Sequence, residues 1–163
     1  MTKTYHTQME AARRSIVTPE MQEVARREGR SAEELAALMA AGKVVIPANP
    51  GHRGLDPNGI GSMLTTKINV NLGVSRDVAD YDAEMDKVMD AVNLGAHAIM
   101  DLSSHGNTQP FRRKLCTECP AMIGTVPVYD AVIHYQRDLG TLTARDFIDV
   151  VRLHAEDGVD FVK

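Results

Sequence analysis

Three short apolar runs in this chain each end in polar residues or glycine, and each is followed by a stretch with helical spacing. The runs are Lys67-Ile68-Asn69-Val70-Asn71-Leu72-Gly73, Ala98-Ile99-Met100-Asp101-Leu102-Ser103 and Ile123-Gly124-Thr125-Val126-Pro127-Val128-Tyr129. Strand and helix in repeated alternation call for a parallel sheet with right-handed crossovers. Binding sites in such sheets are built at the carboxyl ends of the strands. Three ends in succession point to one pocket shared among three loops.

The spacing predicts strands at about 64–71, 97–102 and 121–126, with helices at about 80–94, 108–117 and 129–138. Met85, Val88, Met89 and Val92 follow the spacing of a buried helix face. Thr143-Ala144-Arg145-Asp146 is an acidic capping box. It opens a helix expected to bury Phe147, Val150, Val151 and His154 and to stop at Gly158. Residues 159–163 read as a fourth strand. Upstream, Thr18 with Pro19 and Glu20 starts a helix that ends near Gly29. Ser31-Ala32-Glu33-Glu34 is a second capping box, followed by the Leu35, Leu38 and Met39 stripe. Val44-Val45-Ile46 is a short strand stopped by Pro47, and the proline- and glycine-rich stretch 47–62 reads as loop.

Residues 1–60 are thus expected as a helical, loop-rich lead-in and 61–163 as the parallel part. A closed (β/α)8 barrel takes ~250 residues. The fold class is therefore α/β. The parallel βα units form either roughly the first half of a (β/α)8 barrel or a small open sheet. The missing helix after the last strand favours the half-barrel, whose edges something must cover.

The 163 residues are 44% hydrophobic, enough for a packed core. A net charge of −4, 4% aromatic residues and no Trp argue against a nucleic-acid surface. The polar start carries no signal peptide, no run reaches the ~20 apolar residues of a membrane span, and two cysteines make no disulfide scaffold. A cytoplasmic setting is the expectation.

Several residues stand out at the strand ends. Asn71 offers an amide that both donates and accepts, and it is otherwise a turn residue before Gly73. Met100 is either core filler or a thioether that packs on a flat ring. Asp101 and Ser103 line a secondary pocket or make loop hydrogen bonds. Tyr129 reaches a phosphate or ribose hydroxyl, or packs at a helix start. His105 sits beside the expected pocket. His154 reads as a satisfied core histidine. Lys67 and the run Arg112-Arg113-Lys114 read as strand-side and helix-surface charges. Cys116-Thr117-Glu118-Cys119 is half a metal motif without a second half, so no metal site is expected in this sequence and the two thiols read as partly buried.

The segments "KINVNLG", "AIMDLSS", "MIGTVPVYDA" and "HAEDGVDFVK", in that order, resemble the phosphomethylpyrimidine synthase family. "TQMEAARRSIVTPEM" and "VVIPAN" match it as well. The resemblance covers essentially the whole chain, while the chain covers well under half of a family member. It implies a (β/α)8 barrel that binds aminoimidazole ribotide. It also implies a radical S-adenosylmethionine lyase that uses a [4Fe-4S] cluster and zinc to make the thiamin pyrimidine. By the family's motifs the substrate ligands fall on Asn71, Met100 and Tyr129. The family's next ligand, a histidine past "GVDF", its zinc histidines and its Cys-x2-Cys-x4-Cys motif are not in this sequence. No catalytic residue is assigned here, and the fragment alone is expected to be inactive. Two alternatives stay open. One is the paralogous 5-hydroxybenzimidazole synthase of cobamide biosynthesis. The other is a silent half-barrel that binds a ligand or assembles, as a homo-oligomer or with a separate C-terminal half.

Overall fold

The computed structural model describes residues 5–163, which form two compact units. The first comprises residues up to Pro47 together with Pro57–Lys67, and the second comprises Ala48–Asp56 and Ile68–Lys163.

In the first unit, helices α1 (Gln8–Arg13), α2 (Pro19–Arg27) and α3 (Ala32–Ala40) pack around Ala11, Met21, Val24, Leu35 and Met39, all buried. Thr18 caps α2 as expected, its hydroxyl accepting from the Met21 N–H at 3.2 Å. The capping box at Ser31 is only half made. Ser31 accepts from the Glu34 N–H at 3.0 Å, but the Glu34 carboxylate turns to Arg30 at 2.8 Å. The charged partner is the stronger donor.

Strand β1 (Val44–Val45) pairs antiparallel with β2 (Ile60–Gly61), so the stretch expected to be loop contains a strand. Gly61 has φ +145°, and a β-carbon there would lie 2.1 Å from the Lys43 carbonyl oxygen. Only glycine fits that register. Lys67 is not a surface charge. Its ammonium lies 2.6 Å from Glu28, and both side chains are buried.

The second unit holds four parallel strands in the order β3 (Asn69–Leu72), β4 (Ala98–Asp101), β5 (Met122–Thr125) and β6 (Phe161–Val162). Helix α4 (Tyr81–Asn93) links β3 to β4, and α5 (Gln109–Glu118) links β4 to β5. Helices α6 (Pro127–Tyr135) and α7 (Ala144–Glu156) link β5 to β6, with a short 3-10 turn at Leu139–Thr141 between them. The parallel α/β expectation is met. Strands β4 and β5 are buried at every residue, as central parallel strands should be. Val70, Leu72, Ile99 and Ile123 point into one core with Val88 of α4 and Phe111 and Leu115 of α5. Each full burial of this kind stabilises by roughly 1.5–3 kcal/mol.

Two helix faces differ from their sequence patterns. On α4, Met89 is exposed, and Glu84 takes a place in the buried arc with Met85, Val88 and Ala91. The Glu84 carboxylate earns burial by accepting the Gly73 N–H at 2.9 Å. On α7, Val151 is exposed, and the buried line is Val150 and His154, with Asp157 just past the helix end. That line faces a polar network rather than an apolar core. The Thr143 capping box is complete, and α6 begins at Pro127, two residues before its expected start.

Candidate functional site

Cross-strand register aligns Asn71, Met100, Gly124 and Phe161 in one row across β3, β4, β5 and β6. Aligned residues of a parallel sheet project from the same face, and alternate residues project from the other. This row therefore lies opposite the face that carries Val70, Ile99 and Ile123. Asn71 is exposed, and its Oδ1 accepts from Asn69 Nδ2 at 3.0 Å. Its own Nδ2 has no protein acceptor among the described residues. Met100 is 7% exposed and stands beside Asn71. Two of the sequence candidates are thus brought together.

Gly73 fixes how close the ends of β3 and β4 come. It has φ +140°, and a β-carbon there would lie 2.5 Å from the Ser103 amide nitrogen. The Ser103 hydroxyl accepts the Val74 N–H at 3.1 Å, and Asp101 Oδ1 accepts the Ser103 N–H at 2.9 Å. Asp101 falls on the row after Met100 and so projects from the helix-covered face. Burial pushes its carboxyl above the ordinary range, against the Ser103 hydrogen bonds. Asp101 and Ser103 thus hold the two loop ends together.

Tyr129 lies in the first turn of α6, five residues past Gly124, with its ring exposed. His105 is exposed, and its carbonyl accepts from the Tyr81 hydroxyl at 3.2 Å.

A cleft of about 650 Å³ opens among α5, α6 and α7, and of the sequence candidates only His105 lines it. At its base lies a network that sequence reading missed. Arg112 is 3% exposed, which corrects the surface-charge expectation. Its guanidinium lies 2.6 Å from Asp130 and 2.9 Å from Asp157. Thr108 donates to Asp130 at 2.5 Å, and His154 bridges Asp130 Oδ2 at 2.8 Å and the Thr125 hydroxyl at 2.7 Å. Burial alone would raise Asp130. The hydrogen bonds from His154 and Thr108 and the Arg112 charge outweigh it and hold the carboxyl at about 2. Every charge at this base is already matched, so it acts as a rivet between helices. His154 is a satisfied core histidine, as its sequence position suggested.

Cys116 and Cys119 are fully buried free thiols, deeper than expected. Burial pushes Cys116 up to about 12 and raises Cys119 as well. Iron–sulfur ligation needs thiolates. Cys116 and Cys119 are the two cysteines of this sequence, one fewer than a cysteine triplet supplies to a cluster. No group of three or more His, Cys, Asp or Glu residues is arranged to hold a metal ion among the described residues. No helix of the described residues is long and apolar enough to cross a membrane.

A four-stranded parallel sheet with helical crossovers places the chain in the α/β class. Within that class, the Radical SAM ThiC family matches residues 7–163, and the chain belongs to that family. Similar proteins include the phosphomethylpyrimidine synthase of Alkaliphilus oremlandii, 57% identical over 158 residues. Those of Alkaliphilus metalliredigens and Clostridium novyi are 56% and 54% identical over the same length. In each case the match covers 97% of this chain and 36% of the relative. The chain spans about a third of the length of these relatives.

Proposed function

We propose that this protein supplies the substrate-holding part of a phosphomethylpyrimidine synthase. The reaction is the radical conversion of 5-aminoimidazole ribotide to the hydroxymethylpyrimidine phosphate of thiamin. The observation that carries the reading is the side-by-side placement of Asn71 and Met100 on one sheet face in a chain of this family. Asn71 presents an amide donor to a ring nitrogen or hydroxyl of the ribotide. Met100 packs a polarizable thioether against the imidazole and offers no exchangeable proton. Tyr129 meets the ribose or phosphate from the first turn of α6. The sheet is read as the first half of a (β/α)8 barrel.

The residues of this chain bind and orient. Radical initiation belongs to S-adenosylmethionine and a [4Fe-4S] cluster, whose ligands, like those of zinc, are residues other than these.

The test is calorimetric titration of aminoimidazole ribotide into the protein at its native length. Asn71→Ala should weaken binding by about 1–3 kcal/mol if bound ribotide buries the polar group that Asn71 pairs with. Unchanged affinity would count against the assignment.

A further inference from the structure

Gly124 stands between Met100 and Phe161 in the cross-strand row. Its φ is not in the positive range that favours glycine, so conformation does not require a glycine here. Space does. A β-carbon on Gly124 would lie 2.4 Å from both Cε2 and Cζ of Phe161 and 3.0 Å from Met100 Cε. The Phe161 ring therefore lies directly against the Gly124 backbone, and the Met100 methyl reaches toward the same spot.

The two other phenylalanines do different work. Phe111 is in the core beneath the sheet, and Phe147 lies on α7. Phe161 is half-buried, so its ring packs on Gly124 and still presents surface. Aromatic faces stack on flat heterocycles, and a thioether beside the ring edge adds a favourable contact.

We propose that Phe161 is the aromatic wall of the ligand pocket, stacking on the base, with Gly124 the gap that seats it beside Met100. This rests on the ribotide reading above and adds a specificity-determining residue to it. The wall selects for a flat ring. It gives nothing to a sugar phosphate that lacks one.

The experiment compares two probes, aminoimidazole ribotide and ribose 5-phosphate, titrated into the protein at its native length. In Phe161→Leu, ribotide affinity should fall about five- to hundredfold, the range for losing one base–aromatic stack. Ribose 5-phosphate affinity should stay within twofold. Phe161→Tyr should keep ribotide affinity, and Gly124→Ala should lose it by displacing the ring. The ¹³C-methyl signal of Met100 should lose its ring-current shift in Phe161→Leu, which reports on the packing without any ligand. Equal losses for both probes would mean a merely structural role and would overturn the proposal, as would ribotide affinity that survives Phe161→Leu. If the unsubstituted protein binds no ribotide, the ribotide reading falls, and this inference falls with it.

Discussion

His52 Nδ1 lies 2.7 Å from Asp160 Oδ2, and both side chains are fully buried. The other ring nitrogen, Nε2, lies 2.7 Å from the Cys119 carbonyl oxygen. Asp160 also accepts N–H groups from Asn49 and Ile123, at 2.8 and 2.7 Å. A carbonyl and a carboxylate can only accept, so both ring nitrogens donate and His52 is an imidazolium. This pair pins the 48–56 segment to β5 and the start of β6.

A pH dependence with a definite sign follows. Burial opposes the charge on His52, but the Asp160 hydrogen bond and charge, with the Cys119 carbonyl, outweigh it and raise the folded-state pKa. The contribution is therefore complete below the unfolded value of about 6.5 and is lost as pH rises through the folded value. Urea unfolding at pH 6 and pH 9 should show the unsubstituted protein losing stability with pH. His52→Gln should lose less over that interval. At pH 6, His52→Gln should cost roughly 3–5 kcal/mol, the range for breaking a buried pair. Equal pH slopes in the two proteins would contradict the imidazolium assignment.

Asp130 sets the opposite edge. Its folded value of about 2 lies below the unfolded value of about 3.9. Its contribution is present above the unfolded value and lost as pH falls through about 2. That shift is worth about 2–3 kcal/mol. Acid unfolding should therefore release the α5–α6–α7 rivet, and Asp130→Asn should flatten the stability curve between about pH 4 and pH 2. Arg112→Leu, which takes the guanidinium from buried Asp130 and leaves Asp157 with Arg113 alone, should cost roughly 3–5 kcal/mol at neutral pH.

Gly73→Ala tests the close approach of the β3 and β4 ends. The added carbon meets the Ser103 nitrogen at 2.5 Å on a backbone at φ +140°. A loss of about 2–4 kcal/mol in chemical unfolding is expected. Gly106→Ala is the control, because the new carbon there meets only the Tyr81 hydroxyl at 3.5 Å. Its cost should be about 1 kcal/mol, from the positive φ alone.

What could be read from sequence was set by local chemistry. The Thr18 and Thr143 caps, the stop at Gly158 and the buried runs of β4 and β5 depend on neighbours within a turn or two, and they stand where expected, whereas β3 begins at Asn69, about five residues later than its apolar run suggests. Asn71 and Met100 share a face because parallel register preserves their places in matching motifs. What escaped was long-range. Arg112 looked like a surface cation because its partners Asp130 and Asp157 lie 18 and 45 residues away. His52 and Asp160 are 108 residues apart and share no local pattern. The β1–β2 ribbon was hidden because Gly61, which makes the pairing possible, is also the residue that marks a loop.

Product analysis is the most direct test of the central reading. The protein at its native length is incubated anaerobically with aminoimidazole ribotide, S-adenosylmethionine and a low-potential reductant, and the products are identified by mass. The expected product is the hydroxymethylpyrimidine phosphate, abolished or strongly reduced by Asn71→Ala. Ribotide recovered unchanged, or converted to 5-hydroxybenzimidazole, would contradict the account.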